Sequence, residues 1–495
     1  MDIQTLMKTE ALSRFGIASI KPYQNLVIQT ILERAIYGTK NPGQLVVFPT
    51  GYGKSLCFML PASILRGVTV IVYPLLALMS DQKKHMDRIG LQSELLCGGQ
   101  SHEQRSSIWD RLQSGQSKIV ITNPETLCTQ SVISHLRTLK LELFTVDEAH
   151  VVCEWGQTFR PAYLQLMSAI RILQPSQVLA FTATASPAVI VKLKKCLFGG
   201  RQPHMVIADP DRSNIHYSTV RTFCRGQTLD DIARRCERPA LVFCRTRFLT
   251  EKVFFKLKRH NPDSDMRYYH AGLDRSERAS VERWFEQSND GILVATCAYG
   301  LGMDKSNIRT VIHYSIPDTV EEFLQESGRA GRDSKQSQSI VMVPYSAITD
   351  SFTEPNQRRR SLLRVFADQN GCLRSGLMAL MGREMQQCSG CDVCDGHAQE
   401  VPYEMETILK AVRRYPLRFG VNELACSLTA VYPRAGRSGF IYANALSSWT
   451  FESARSSIAA LVRLGWLRSV RTGLRRKALV CPRAVKRLRF GPPAS

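Results

Sequence analysis

Along the first 345 positions the apolar residues gather into short continuous runs, separated by stretches in which they recur every three to four residues. The first series is QLVVFP (44–49), VTVIVYP (68–74), KIVIT (118–122), LFTVD (143–147) and VLAFTAT (178–184). A second series follows: ALVFC (240–244), MRYYHA (266–271), GILVAT (291–296), TVIHYS (310–315) and SIVMVP (339–344). A run that is apolar on both of its faces predicts a strand buried from both sides, as in a parallel sheet covered by helices. The pattern therefore predicts an α/β fold of two tandem domains with parallel sheets, joined near ADPDRS (208–213). After Pro344 the pattern changes. A polar stretch (346–361) leads into helical segments and a group of cysteines, and DGHAQEVPYE (395–404) forms a second polar link. The remainder is helical, with an apolar stripe at Ile458, Leu461, Val462 and Leu464 that stops at Gly465, then two short strand candidates around Arg471–Gly473.

A length of 495 residues suggests about three domains. No apolar run is long enough for a membrane span, and the N-terminus lacks the apolar core of a signal peptide. The net charge of +22 favours a polyanionic partner, above all nucleic acid. Its distribution sharpens that reading. No Asp or Glu follows Glu452, while Arg455, Arg463, Arg468, Arg471, Arg475, Arg476, Lys477, Arg483, Lys486, Arg487 and Arg489 do. Fifteen cysteines in a long chain without an export signal do not read as a disulfide framework.

Three short stretches carry candidate chemistry. TGYGKS (50–55) lies between a strand and a helical pattern, the context a phosphate-cradling loop requires. Gly51 and Gly53 would let backbone N–H groups turn toward phosphate oxygens, Lys54 would reach the β- and γ-phosphates, and Ser55 would hold Mg²⁺. The first glycine of the usual motif is replaced by Phe48. In DEAH (147–150), Asp147 is suited to orient Mg²⁺ and Glu148 to activate water. In GRAGR (328–332), Arg329 and Arg332 are three apart, so one helical turn would aim both at a γ-phosphate across an interdomain cleft. Together these predict nucleoside triphosphate hydrolysis. Cys388, Cys391 and Cys394 are spaced C-x2-C-x2-C, with Cys372 upstream; four thiolates suit a closed zinc site or an iron–sulfur cluster. WGQTFRPAY (155–163) follows the acid pair. Its Trp155, Phe159 and Tyr163, four apart, fit either a packed helix face broken by Pro161 or a loop that senses something stackable.

In order along the chain, FGIASIKPYQ (15–24), TGYGKS, YPLLALMSDQ (73–82), NPETL (123–127), DEAH, WGQTFRPAY, TATA (182–185), LVFCRTR (241–247), YHAGL (269–273), VATCAYGLGMDKSNIRTVIHY (294–314) and QESGRAGRD (325–333) resemble the motifs of the RecQ helicases of superfamily 2. The resemblance implies two RecA-like motor domains, at 1–208 and 209–345. After them it implies a four-cysteine zinc-binding helical subdomain at 346–400 and a winged-helix domain with a basic tail at 401–495. It implies ATP, with Gln24 reading adenine and Thr50, Tyr52 and Gln325 among the nucleotide contacts. It implies Mg²⁺, and zinc rather than iron at Cys372, Cys388, Cys391 and Cys394; His397 reads as a solvated linker histidine rather than a substitute ligand. TATA would couple hydrolysis to DNA contacts, and Trp155, Phe159, Arg160 and Tyr163 would sense single-stranded DNA. Arg471, Arg475, Arg476 and Lys477 would contact duplex phosphates from a wing. The further helical nucleic-acid-binding (HRDC) domain of many relatives is expected to be absent.

The chain departs from the family pattern at Ile17, Ile20 and Lys21, where aromatics and an arginine are usual, and at Gln157 and Thr158, where a His-Asp pair is usual. The function expected is ATP-dependent 3′–5′ unwinding of DNA in repair, recombination or defence. The alternatives are a DNA-stimulated translocase that unwinds poorly and a DNA-binding adaptor with an inactive ATPase. Partners would be single-stranded and duplex DNA, with a single-strand-binding or repair protein possible and no membrane. The location would be cytoplasmic and nucleoid-associated in a bacterium, nuclear in a eukaryote.

Overall fold

The computed structural model describes residues 2–38, 43–49, 51–152, 162–300, 305–344, 347, 353–368, 370–398, 403–429, 440–447, 449–472 and 477–482; of Tyr163, Leu164, Gly300, Tyr403 and Glu404 it describes the backbone alone. Seven strands form the first sheet: β1 (Gln44–Val47), β2 (Val68–Val72), β3 (Ser93–Leu96), β4 (Ile119–Thr122), β5 (Leu141–Val146), β6 (Gln177–Thr182) and β7 (His204–Ile207), in the order β3-β4-β2-β5-β6-β1-β7. Six form the second: β8 (Ile215–Thr222), β9 (Ala240–Phe243), β10 (Met266–Tyr269), β11 (Ile292–Ala295), β12 (Thr310–His313) and β13 (Ser337–Pro344), in the order β10-β11-β9-β12-β13-β8. All neighbours within these two sheets are parallel. These are the two RecA-like units expected.

The continuous apolar runs have the predicted cause. Successive side chains of one strand feed different cores: Leu45 and Val47 join one cluster of the first sheet, Val46 and Phe48 the other. The second sheet divides in the same way, with Leu241 and Phe243 on one side and Ala240 and Val242 on the other. All ten predicted runs are strands. Three strands lack such a run, and all three lie at sheet edges: β3, β7 and β8. An edge strand is covered on fewer sides and tolerates polar residues such as Ser93 and Glu94 of β3 or Ser218 and Thr219 of β8.

Residues 208–214 connect β7 to β8. After β13, helices Gln357–Ala367 and Leu373–Leu380 pack back on the second sheet and share its core through Leu362, Phe366, Leu373 and Leu377. The cysteine loop then docks on edge strand β8, where Tyr217 bridges to Cys391 and Asp392 N–H donates to Tyr217 O at 3.0 Å. Three more helices (Tyr403–Arg414, Val421–Thr429, Phe451–Arg463) and the antiparallel hairpin β14 (Arg468–Arg471) and β15 (Lys477–Val480) close a separate core around Ile408, Leu424, Trp449, Ile458 and Leu479. That is the winged-helix outline. As the stripe predicted, its last helix ends at Arg463, and Gly465 follows at φ +79°. No helix among the described residues is long and apolar enough to cross a membrane.

One side chain ties three of these parts together. Arg374 is fully buried. It pairs with Asp211 of the connecting segment, donates to Gly390 O of the cysteine loop at 3.1 Å and to Ile215 O of β8, and lies 4.6 Å over the Tyr217 ring. Arg374→Ala leaves the Asp211 carboxylate without its partner in a mostly buried place, so it should destabilise the chain by about 3–5 kcal/mol. Urea unfolding followed by far-ultraviolet circular dichroism measures this; a loss below about 1 kcal/mol would mean the pair is dispensable.

Candidate active site and metal centre

The loop after β1 and the acid pair after β5 open on the carboxyl edge of the first sheet, on either side of β6, where ligands of open parallel sheets bind. Thr50 lies outside the described residues. Gly51 and Gly53 take φ +79° and +85°, left-handed conformations that cost glycine nothing. Ser55 stands at the N-cap position of the helix Leu56–Ile64, so the loop ends on a helix N-terminus. Gln24 is buried, and its amide nitrogen donates to Tyr52 O and Gly53 O, each at 3.0 Å. A Cβ on Gly53 would lie 2.6 Å from that nitrogen, a second reason for glycine there. Lys54 Nζ sits 3.4 Å from Phe48 O.

Asp147 directly follows β5, and its N–H donates to Val72 O at 3.0 Å. Burial, reinforced by the neighbouring Glu148 and opposed by Lys54, pushes its carboxyl up to about 7. Glu148 behaves in the opposite sense. Burial alone would raise it, but Lys54, His150, Arg329 and Arg332 together hold it below the usual carboxylate range. Glu148 also adopts φ +47°, an uncommon conformation for a residue with a side chain and one that gathers at functional sites. His150 Nδ1 stands 3.4 Å from Glu148 Oε2 and 3.0 Å from Thr182 Oγ1, and Thr182 donates to Thr184 O at 2.9 Å. The acid box is thus wired to TATA.

The arginines come from the second unit. The expected single helical turn is not what carries them: the helix Val320–Ser327 ends first, and Arg329 and Arg332 sit in the turns that lead into β13. Between the two arginines Gly331 takes φ +55°, and Asn214 Nδ2, Lys335 O and Ser337 Oγ crowd the space a Cβ would take. Gly331 O accepts from Arg212 at 2.7 Å and from Asn214 at 2.9 Å, which fixes the turn to the connecting segment. Arg332 Cγ lies only 3.8 Å from where a Cβ on Gly51 would stand. Arg329 is buried, and desolvation together with Arg332 brings its guanidinium down to about 10. Gln325 lines a small pocket between the units beside Pro49, Thr184 and Arg212. Ser186 N–H of the first unit donates to Glu321 Oε1 of the second at 3.3 Å. A cleft with this many cations facing one ionised acid is built for a polyphosphate.

The thiols of Cys372, Cys388, Cys391 and Cys394 all lie within 4.8 Å of one another, Cys372 and Cys391 at 3.9 Å. Tetrahedral zinc–thiolate geometry puts sulfurs about 3.8 Å apart, so the four fit such an ion. Trp155, Phe159 and Arg160 lie outside the described residues; Tyr163 belongs to the helix Ala162–Leu173. Arg471 and Lys477 pair across the hairpin and are exposed, while Arg475 and Arg476 lie outside the described residues. His150, Arg212 and Asn214 were not singled out from the sequence. Nor was the aromatic group Tyr23–Phe48–Tyr52 beside the loop, with centroids 4.8–6.3 Å apart. His150 and the aromatic group left local traces, in DEAH and in Phe48 and Tyr52 at the loop; Arg212 and Asn214 left none.

Residues 21–193 match the DEAD/DEAH box helicase family and residues 225–334 the helicase conserved C-terminal domain. ATP-dependent DNA helicase RecQ of Pasteurella multocida (strain Pm70) is 30% identical over 426 residues, 82% of this chain and 65% of that protein. ATP-dependent DNA helicase RecQ of Bacillus subtilis (strain 168) is 30% identical over 427 residues, 83% of this chain and 71% of that protein. This chain thus spans just under two thirds of the length of the first and somewhat more of the second. Among solved structures, the DUF1998 helicase MrfA bound to DNA aligns with 97% of this chain and 62% of its own, at TM-score 0.57 and 19% identity, a likeness of fold.

The raised Asp147 carboxyl gives a signed prediction. Between its ordinary value of 3.8 and about 7, the folded chain holds a proton that the unfolded chain has released. Stability from this group is present at low pH and is lost as pH rises through that window. Asp147→Asn should therefore raise the melting temperature of the nucleotide-free chain by a few degrees at pH 8 and by little at pH 5. Equal shifts at both pH values would show that the carboxyl is not held protonated.

Proposed function

The chain belongs to the RecQ helicase family, and on that premise we propose that it hydrolyses ATP to translocate 3′ to 5′ on single-stranded DNA and to unwind duplex DNA. The observation that carries this is the cleft, where the loop of one motor unit meets Arg332 of the other and Glu148 is held ionised among Lys54, His150, Arg329 and Arg332. In this reading residues 1–208 and 209–345 are the motor domains, 346–400 the zinc subdomain and 401–495 the winged-helix domain.

The residues present support a specific division of work. Backbone N–H groups of Gly51 to Ser55, with Thr50, cradle the phosphates, and Lys54 neutralises their β and γ oxygens. Glu148, kept as a carboxylate, orients the attacking water and accepts its proton. Arg329 and Arg332 stabilise charge that grows on the γ-phosphoryl group in the transition state, and Tyr52 and Gln325 line the nucleotide. Gln24, bound to the loop carbonyls, senses loop position as well as the adenine edge. Ser55 and Asp147 would hold Mg²⁺, which supplies charge to offset the phosphate oxygens when bound. Because Arg332 belongs to the second unit, closure of the cleft depends on the γ-phosphate, and release after hydrolysis lets the units part. Glu148, His150 and Thr182 form the route by which DNA contact reaches the acid. Trp155, Phe159, Arg160 and Tyr163 stack on the single strand, and Arg471, Arg475, Arg476 and Lys477 meet duplex phosphates at the hairpin. Zinc at the four cysteines is structural, since all four ligand positions come from the protein. Partners are single-stranded and duplex DNA, in the cytoplasm of a bacterium or the nucleus of a eukaryote.

The four-residue strands of the hairpin favour one second reading, a translocase that unwinds weakly. Partial duplexes with a 3′ or a 5′ tail decide between them. ATP-dependent opening of the 3′-tailed duplex alone, abolished in Lys54→Ala, is the expected result. DNA-stimulated ATP hydrolysis without opening of either would select the translocase, and no hydrolysis at all would leave a DNA-binding adaptor. Metal analysis should find about one zinc per chain, with Cys391→Ser insoluble; iron with a visible absorbance band would overturn the zinc assignment.

A further inference from the structure

The helix Arg247–His260 that follows β9 buries Thr250, Val253 and Leu257 against the second sheet. Its opposite face carries Phe248, Lys252, Phe255 and Arg259, all exposed, in the 4-3-4 spacing of a single helical stripe. Phe248 is 74% and Phe255 60% exposed, an unusual use of phenylalanine on a solvent face. Tyr268 of edge strand β10 widens the platform, with its ring 6.1 Å from Phe255 and 5.0 Å from Phe254. The helix holds five cations and one acid. That acid, Glu251, is engaged by His270 Nε2 at 2.8 Å, and Asp263 lies beyond the helix end.

We propose that this ring–cation–ring–cation stripe is an accessory binding surface for single-stranded nucleic acid, outside the nucleotide cleft and the hairpin. A surface meant for a protein helix would place aliphatic side chains between the rings. Here Lys252 stands between the two rings and Arg259 one step beyond the second, which suits a polymer that alternates bases with phosphates. The four residues span about 16 Å of helix axis, room for several nucleotides at roughly 3.4 Å per stacked step. Cations beside exposed rings add to stacking on bases. The charge of the whole chain, +22, gives the same preference at long range. The inference rests on the reading of the chain as a DNA-handling motor, and it adds a hold on the strand beyond the motor's own path.

The test uses the full chain and fluorescence anisotropy with labelled oligothymidylates, one short and one several times longer, beside ATP hydrolysis stimulated by the short one. Phe248→Ala/Phe255→Ala and, separately, Lys252→Glu/Arg259→Glu should each weaken binding of the long strand by about tenfold or more. Hydrolysis with the short strand should stay at the wild-type rate, and melting curves should stay unchanged. The charge variant should also flatten the salt dependence of long-strand affinity. Wild-type affinity for the long strand in both variants overturns the proposal. So does a polyglutamate peptide that binds the wild type more tightly than the long strand and is lost in both variants, because the occupant is then an acidic protein. If no single strand stimulates wild-type hydrolysis while both variants still lose long-strand binding, the motor reading fails and the stripe stands.

Discussion

The arrangement depends on a guanidinium with no access to water. Arg374 would be prohibitively costly to bury alone, and it is tolerated because Asp211, three backbone carbonyls and the Tyr217 ring surround it. Its partners belong to the segment between the two sheets, to the first strand of the second sheet and to the cysteine loop. A charge with those requirements permits one relative placement of the three and penalises the others. Arg212, next to Asp211, extends the same register to Gly331 and so to the turn that carries Arg329 and Arg332. The cysteine cluster is therefore mechanically continuous with the turn that holds Arg329 and Arg332.

Within the cleft, electrostatics separate two adjacent acids that share a strand end. Burial, reinforced by Glu148, raises the Asp147 carboxyl, whereas Lys54, His150, Arg329 and Arg332 draw that of Glu148 down. The left-handed backbone at Glu148 turns its side chain toward His150 and the arginines rather than along the strand. A metal ion beside Asp147 would reverse its tendency to hold a proton, so occupancy of the site and the charge of the acid pair are coupled.

What was legible in the sequence follows from what is local. Interior strands announce themselves because both faces are apolar; β3, β7 and β8 do not, because an edge releases the strand from that demand. The loop at 50–55, the acids at 147–148, the arginines at 329 and 332 and the cysteine spacing were all readable, since each is a short string with its own chemistry. Their supports were not. Arg212 reaches Gly331 across 119 positions, and Arg374 reaches Asp211 across 163. No window of sequence holds such a pair. The single helical turn expected for GRAGR is not formed, because the helix ends at Ser327 and Gly331 takes φ +55° between the two arginines. Trp155, Phe159 and Arg160 lie outside the described residues, so the reading of those side chains still stands on sequence.

The docking of the cysteine loop on β8 also sets a timetable. Thr219 and Asp392, whose N–H to carboxylate bond is 2.7 Å, are 173 positions apart, and β8 finds its sheet partner only when β13 has been made. A chain emerging from the ribosome therefore carries β8 as a bare strand edge throughout the synthesis of the second sheet, and seals its outer side last, when the cysteines arrive. During that interval the strand is open to pairing with another nascent copy. Under the proposed zinc assignment, supply of the ion would then govern the yield of soluble protein at birth, before any nucleotide or DNA is met.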